Sequence, residues 1–209
     1  PFFLANLNIS FTDSIFESMS GITTTGSTIL SDIKSMPEGI LLWRGLLQWI
    51  GGVGIIVMAI SILPVLQVGG MQVFRTESSD TTEKILPRTA QVSFAVIIIY
   101  LSLTVLCFIS YWLSGMRLFE SLVHSMTTIA TGGFSTRNDS FASFNNRSTE
   151  YIAILFMILS SLPILIYLEV TRNGIKSFFR DTQIKTFLII IFVSSLLVIS
   201  YLWIFDLKN

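Results

Sequence analysis

Long apolar runs alternate along this chain with two shorter apolar segments, each of which ends in a run of Thr, Ser and Gly. The runs Ile40–Leu66, Ala90–Leu113, Tyr151–Leu168 and Ile184–Phe205 are predicted membrane spans, because a helix crossing a bilayer takes roughly 20 apolar residues. Residues 1–12 are too short, and too broken by Asn6, Asn8 and Ser10, to cross, and read as a lead-in. Ser14-Ile15-Phe16-Glu17 has the form of a capping box, and Asp13 adds negative charge where a helix N-terminus favours it. A helix from Asp13 to about Ile22 follows, roughly 15 Å long and half a membrane thick. It stops where Thr23–Gly26 abandon helical preference. This is the pattern of a re-entrant pore helix and loop, and Ser31–Gly39, with Pro37, returns the chain to the same surface. Arg117 to about Ala130 repeats the half-length helix with Glu120 in its first turn, Thr131–Thr136 repeats the loop, and Arg137–Glu150 is a polar surface stretch.

The repetition has a register. A shift of 107 residues aligns Ser14 with Ser121, Ser18-Met19 with Ser125-Met126, Ile22 with Ile129, Thr24 with Thr131 and Gly26 with Gly133. Phe16-Glu17-Ser18 and Phe119-Glu120-Ser121 match only at a different shift, which leaves the register of the two helix starts open. A unit of span, half-helix, loop and span is a duplication unit rather than a solenoid period. It divides the chain into the end of a first unit (1–66), a linker (67–90), a complete second unit (91–168), a second linker (169–183) and the first span of a third unit (184–209). The N-terminus, Pro1-Phe2-Phe3-Leu4, has neither a basic region nor a starting Met, so a truncated chain or a piece of something longer is expected.

Composition narrows the class. The 209 residues are 52% hydrophobic and 12% charged, with a mean hydropathy of +0.73, against about 25% charged in soluble domains; this is a membrane protein. Thirteen basic and thirteen acidic residues leave no net charge and exclude the basic footprint of a nucleic-acid binder. Cys107 is the single cysteine, so an intrachain disulfide is excluded. With one His, one Cys and no acid–base motif inside the spans, an enzyme is the weakest reading and no cofactor is called for. The stretches 67–90 and 170–185 hold seven of the thirteen Lys and Arg residues, which places that side in the cytoplasm and brings both Thr/Gly loops in from outside.

The two loops are the candidate chemistry. A dehydrating cation needs several oxygens in place of its water, and backbone carbonyls in an extended small-residue loop supply them without a charged side chain. Thr adds a hydroxyl oxygen. The C-terminal end of a pore helix carries roughly half a negative charge, which favours a cation. Neither loop holds Asp or Glu, so a monovalent cation is indicated. Other residues have plainer readings beside functional ones. Gly45, Gly51, Gly52 and Gly54 suit close helix packing, with a part in permeation as the alternative. Trp43 and Arg44 suit an interfacial anchor. His124, on the second pore helix, suits a packing or hydrogen-bonding role before a proton relay. Arg137 is a solvated loop charge or a mouth charge, Glu169 an interfacial carboxylate or a gate contact, and Cys107 a small lipid- or helix-facing residue. Asn146-Arg147-Ser148 fits a glycosylation acceptor by pattern alone.

Phe16-Glu17-Ser18-Met19-Ser20-Gly21-Ile22-Thr23-Thr24-Thr25-Gly26 and Ala130-Thr131-Gly132-Gly133-Phe134-Ser135-Thr136 resemble the first and second filter segments of the Trk/Ktr/HKT superfamily of potassium transporters. Trp43 to Met58, with Gly51-Gly52-Val53-Gly54 at its centre, is similar to the span after the first filter in bacterial Trk pore-forming subunits, as are Ile62-Leu63-Pro64, Gly69-Gly70-Met71-Gln72 and Phe74-Arg75. The resemblance implies an all-α membrane protein built from span, pore-helix, filter-loop and span units of a potassium-channel-like pore. Four such units would surround one K+ pathway, and about two are present here. It implies filter residues Thr23, Thr24, Thr25 and Gly26 in the first loop and Thr131, Gly132 and Gly133 in the second, with Gly26 associated with potassium selectivity and Ser at that position with sodium. It further implies a homodimer, a cytosolic nucleotide-binding regulatory subunit, K+ as the transported ion and location in a bacterial inner membrane. Lacking the first opening span, the third filter, the fourth unit, the gating loop and the pore arginine, the chain is expected not to conduct alone. The alternative is a secondary transporter for a small solute, using broken helices at the midplane.

Overall fold

In the computed structural model, which describes residues 1–5, 7, 9–66 and 82–206, every regular element among the described residues is helical. Helices α1 (Phe11–Ile22), α2 (Glu38–Leu66), α3 (Thr82–Leu113), α4 (Leu118–Ile129) and α5 (Arg147–Ser161) lie in one compact unit, Pro1–Ser161. Helices α6 (Ile164–Asn173), α7 (Lys176–Arg180) and α8 (Thr182–Asp206) lie in a second, Leu162–Asn209. Val92–Leu113 in α3 and Thr182–Ile204 in α8 are long and apolar enough to cross a bilayer.

The half-length helix α1 begins earlier than expected. Ser10 is its N-cap: the Ser10 hydroxyl accepts from the Asp13 N–H at 3.1 Å, and the Asp13 carboxylate accepts from the Ser10 N–H at 3.1 Å. The box expected at Ser14 and Glu17 is not formed. With Asp13 already three residues past a serine, the helix closes one turn sooner, and Glu17 falls in mid-helix on the buried face. Helix α4 is also 12 residues long, and both its first and last residues stand 107 after those of α1. This settles the register left open by the sequence. Glu17 matches His124 and Glu120 matches Asp13, so the Phe-Glu-Ser similarity is not structural equivalence.

Helix α2 opens at Pro37, whose carbonyl accepts from the N–H groups of Ile40 and Leu41 at 2.9 and 3.2 Å, and it runs between the two half-length helices. Its small residues are the points of contact. A Cβ at Gly51 would lie on the Ile22 carbonyl at the end of α1, while one at Gly52 would stand 3.1 Å from Ala130 Cβ and one at Gly45 3.1 Å from Val123 on α4. The packing reading of these three glycines holds; a Cβ at Gly54 would meet nothing within 4 Å among the described residues. Helix α3 is joined to α2 by Trp49 Nε1, which donates to Thr104 Oγ1 at 3.0 Å, and by the Tyr100 hydroxyl, which donates to the Trp49 carbonyl at 3.0 Å. Tyr100, Cys107, Tyr111, Met116, Ile129, Ala153 and Phe156 form the apolar centre of this unit, so Cys107 faces helices.

The span expected over Tyr151–Leu168 is not one helix. Helix α5 stops at Ser161, and Pro163 is the N-cap of α6. Proline has no N–H for an i−4 carbonyl, and its ring biases Leu162 away from helical geometry. In the second unit Gly174 ends α6 at φ +79°, and the Asp181 carboxylate caps α8 by accepting from the Gln183 and Ile184 N–H groups at 2.7 and 3.1 Å. The expected linker 169–183 is therefore largely helical. Of the linker 67–90, residues 67–81 lie outside the described residues and 82–90 belong to α3.

Two glycines one turn apart should respond oppositely to substitution. Gly51→Ala places a methyl on backbone and should destabilise the chain by about 3 kcal/mol or more. Gly54→Ala meets nothing and should be neutral or stabilising by up to about 1 kcal/mol. Thermal unfolding in detergent measures both.

Candidate functional site

The two half-length helices end in the same way. After α1, the Thr24 N–H donates to Gly21 O at 3.0 Å and the Thr25 N–H to Ser20 O at 3.0 Å. After α4, the Thr131 N–H donates to Thr128 O at 3.0 Å and the Gly132 N–H to Thr127 O at 2.9 Å. Each is a Schellman termination, in which one residue takes the left-handed conformation and two crossed bonds use the last carbonyls. The left-handed residue is Thr24 (φ +55°) in one and Thr131 (φ +51°) in the other. That conformation costs a non-glycine residue roughly 1–2 kcal/mol, which is why Gly or Asn ordinarily fills the position. Two residues on, Gly26 (φ +78°) and Gly133 (φ +82°) are left-handed again.

Behind the first loop lies an ion pair. Arg44 on α2 and Glu17 on α1 are 1% and 0% exposed, and Arg44 Nε donates to Glu17 Oε1 at 2.8 Å. Glu17 also accepts from the Thr28 hydroxyl at 3.0 Å and from the Ile29 N–H at 3.2 Å. The remaining guanidinium nitrogens donate to Thr28 Oγ1 and to the Ser135 carbonyl, both at 3.1 Å, and the group lies 4.0 Å over the Phe134 ring. Arg44 is thus not the interfacial anchor the sequence suggested. Its guanidinium holds the helix before the first loop, the chain leaving that loop and the chain leaving the second.

One turn along α2, Gln48 is fully buried and grips the second loop from behind. Its Nε2 donates to Gly132 O at 2.8 Å, and its Oε1 accepts from the Phe134 N–H at 3.1 Å. His124 is also fully buried and plays the hydrogen-bonding part expected of it. Its Nδ1 lies 2.8 Å from the Glu120 carbonyl, which only accepts, so Nδ1 carries the proton. Its Nε2 then accepts from the Ser135 hydroxyl at 3.0 Å, and that oxygen accepts from the Arg137 N–H at 3.0 Å. Arg137 is paired with Glu120 at 2.9 Å and lies 4.5 Å over Phe144. Asn146 is engaged as well, donating to Ser114 O at 2.8 Å and accepting from the Ser148 N–H at 3.0 Å.

These braces bring the loops together: a Cβ on Gly26 would lie on the Gly132 carbonyl oxygen. Of the seven residues singled out in the sequence, Thr23, Thr25, Thr131 and Gly133 are exposed, Thr24 and Gly26 half-buried and Gly132 buried. Among the described residues, the carbonyl oxygens of Thr23, Thr24, Thr25, Gly26, Thr131 and Gly133 accept no hydrogen bond, whereas that of Gly132 is taken by Gln48. The arrangement is a cluster of uncommitted carbonyl oxygens on a rigid backing, with the Thr23 hydroxyl donating to Met19 O at 2.7 Å and lying 2.8 Å from the Thr25 hydroxyl, and the Thr131 hydroxyl donating to Ala130 O at 2.8 Å. The backing residues Glu17, Arg44, Gln48 and Ser135 were missed as a group. The available signal was the pairing of Arg44 with Gln48 four residues apart inside an apolar span, since polar side chains at such depth face protein or a water-filled cavity.

Removing one partner of the fully buried pair should cost more than removing the partly exposed Arg137. Glu17→Ala leaves a buried guanidinium short of its counter-charge and should destabilise by about 3–5 kcal/mol. Glu17→Leu combined with Arg44→Met should cost distinctly less, and Arg137→Ala, whose side chain is 30% exposed, should fall below Glu17→Ala because water reaches that pair. Detergent thermal unfolding of the four proteins gives the comparison.

Comparison with known proteins identifies the family. The family model described as "TrkH: Cation transport protein" matches residues 2–206. The chain is 43% identical over 192 residues to the Trk system potassium uptake protein TrkI of Halomonas elongata, covering 91% of this chain and 39% of that protein. It is 41% identical to TrkH of Vibrio parahaemolyticus (91% and 40% covered) and 38% identical to TrkH of Escherichia coli (97% and 43% covered). The crystal structure of the potassium transporter TrkH from Vibrio parahaemolyticus superposes with a TM-score of 0.75 at 38% identity, over 87% of this chain and 36% of that one. The chain therefore spans about two fifths of the length of the curated relatives it matches. A match that reaches from residue 2 to residue 206 takes in both helix-and-loop repeats and the helices around them, and the chain, an integral membrane protein, belongs to the TrkH family of cation transport proteins.

Proposed function

We propose that this chain carries two walls of the ion filter of a potassium-uptake transporter. The observation that carries the reading is the set of free carbonyl oxygens at Thr23, Thr24, Thr25, Gly26, Thr131 and Gly133 after two half-length helices, with Thr24 and Gly26 shift-matched to Thr131 and Gly133. Oxygens of this kind replace the water of a monovalent cation, and the two helix C-termini add negative potential toward it. Two walls do not enclose an ion, so conduction belongs to the complete gene product. The relatives, named as Trk system potassium uptake proteins, support K+ as the ion. We further assign the loops to the outer side of a bacterial inner membrane on the distribution of Lys and Arg. By family resemblance we assign the complete protein to a homodimer served by a cytosolic nucleotide-binding regulatory subunit.

The complete gene product that carries this chain should restore growth at low potassium to cells lacking their own uptake systems. Absence of rescue with the protein present in the membrane would sink the reading. In the same protein Gly26→Ser should lower discrimination of K+ over Na+ by about tenfold or more, equivalent to roughly 1.4 kcal/mol, without loss of expression. The added Cβ is driven against the Gly132 carbonyl at a left-handed backbone position, so the loop must shift. An unchanged K+/Na+ ratio would remove Gly26 from the filter.

A further inference from the structure

We propose that Gln48 is the positioning residue of the second loop: by binding both sides of Gly133 it decides which carbonyls of that loop are offered to the ion, and so sets discrimination of K+ over Na+. This rests on the filter reading above.

A carboxamide carries a donor and an acceptor side by side without being charged. The Phe134 N–H only donates and the Gly132 carbonyl only accepts, so a side chain satisfying both needs one acceptor and one donor side by side. Gln48 Oε1 and Nε2 meet them at 3.1 and 2.8 Å, completely buried. The two bonds straddle Gly133 and pin it at φ +82°. The fit is close, since a Cβ at Gly132 would lie on the Gln48 carboxamide. Its consequence is asymmetry. The first loop leaves the consecutive carbonyls of Thr23, Thr24, Thr25 and Gly26 free, whereas over the matching positions 130–133 the second leaves Thr131 and Gly133, because Ala130 O accepts from the Thr131 hydroxyl at 2.8 Å and Gly132 O is drawn back to α2. A shift of 107 from Gln48 falls on Leu155, whose side chain offers neither donor nor acceptor, so the carboxamide is not part of what the two repeats share. Arg44, one turn before Gln48, holds Ser135 O at 3.1 Å, so the second loop is fastened to α2 at Gly132, Phe134 and Ser135 and cannot drift as a body when one bond is cut.

Two substitutions in the complete gene product test this, with K+ and Na+ uptake measured separately alongside the amount of protein in the membrane. Gln48→Leu keeps approximate size and removes both bonds; discrimination of K+ over Na+ should fall by about tenfold or more, roughly 1.4 kcal/mol. Gln48→Glu separates a positioning role from a merely structural one. Protonated, its carboxyl donates to Gly132 O and accepts from the Phe134 N–H, as the amide does. Ionised, it turns a lone pair on the Gly132 carbonyl and expels it. K+/Na+ discrimination of Gln48→Glu should therefore be near wild type at low pH, where the carboxyl is protonated, and fall as pH rises and it ionises. The other titratable or charged groups on the surrounding elements, Glu17 on α1, Arg44 on α2, Tyr100 on α3 and His124 on α4, are common to both proteins, so the wild-type profile subtracts them. If Gln48→Leu yields too little protein, the pH profile of Gln48→Glu decides. A wild-type ratio in Gln48→Leu, or a flat profile in Gln48→Glu, overturns the proposal. If Gly26→Ser shifts selectivity while both Gln48 variants leave it unchanged, only this inference fails; if Gly26→Ser also leaves it unchanged, the filter reading fails.

Discussion

A guanidinium buried to 1% exposure within the helix bundle must find partners for its charge and its N–H donors, and the way Arg44 does so determines much of this structure. Leaving such a group unpaired is among the larger penalties a protein can carry. Its partners, Glu17, Thr28 and Ser135, come from the first half-length helix, the chain after the first loop and the chain after the second. Satisfying one side chain therefore fixes three segments that are distant in sequence. The Phe134 ring completes the enclosure at 4.0 Å. Loops of Thr, Ser and Gly have little apolar surface with which to hold themselves in place, so the rigidity that the proposed ion-coordinating geometry needs comes from this polar hub behind them.

The two repeats share a backbone and differ in how it is braced. Position 17 in the first and 124 in the second both reach the residue 11 further on, Thr28 and Ser135, at 3.0 Å. In the first repeat the reaching side chain is a carboxylate, because Arg44 stands beside it. At the position matching Arg44 the second repeat has Tyr151, which is 69% exposed. A carboxylate at 124 would then be buried without that counter-charge, and a neutral imidazole donating to Glu120 O and accepting from Ser135 is the solution that leaves no charge unpaired. The duplication thus preserves helix length, termination and loop conformation while the chemistry behind the loop follows whatever the next span supplies.

Much of this was legible in the sequence where one physical signal dominates. Apolar length gave the helices, and the recurrence of Thr-x-Gly at a shift of 107 gave the pair of loops, because both are local patterns that burial does not alter. Two expectations fail for a tertiary reason. Trp43-Arg44 at the start of an apolar run reads as an interfacial anchor and Ser14-x-x-Glu17 reads as a capping box, although Ser10 and Asp13 are available to cap one turn earlier. Both are turned inward by tertiary partners that no window of sequence contains. Pro163 is the converse case: its local effect on the helix is strong, and the apolar composition of Tyr151–Leu168 masked it.

The left-handed threonines bear on what the loops are for. Thr24 and Thr131 close their helices at φ +55° and +51°, a position where Gly would serve without strain. A loop selected only to reverse the chain has no reason to retain a β-branched residue there, and none to retain it twice at equivalent positions. Strain of roughly 1–2 kcal/mol at each site persists only where surrounding structure over-determines the backbone, and here the crossed bonds to Ser20, Gly21, Thr127 and Thr128 do so. What threonine adds over glycine is a hydroxyl oxygen next to the free carbonyls of Thr24 and Thr131; at Thr131 it donates to Ala130 O at 2.8 Å and keeps its lone pairs to accept or to ligate. A surface turn has water for those lone pairs, whereas in a loop proposed to replace the water of a cation they are further ligands.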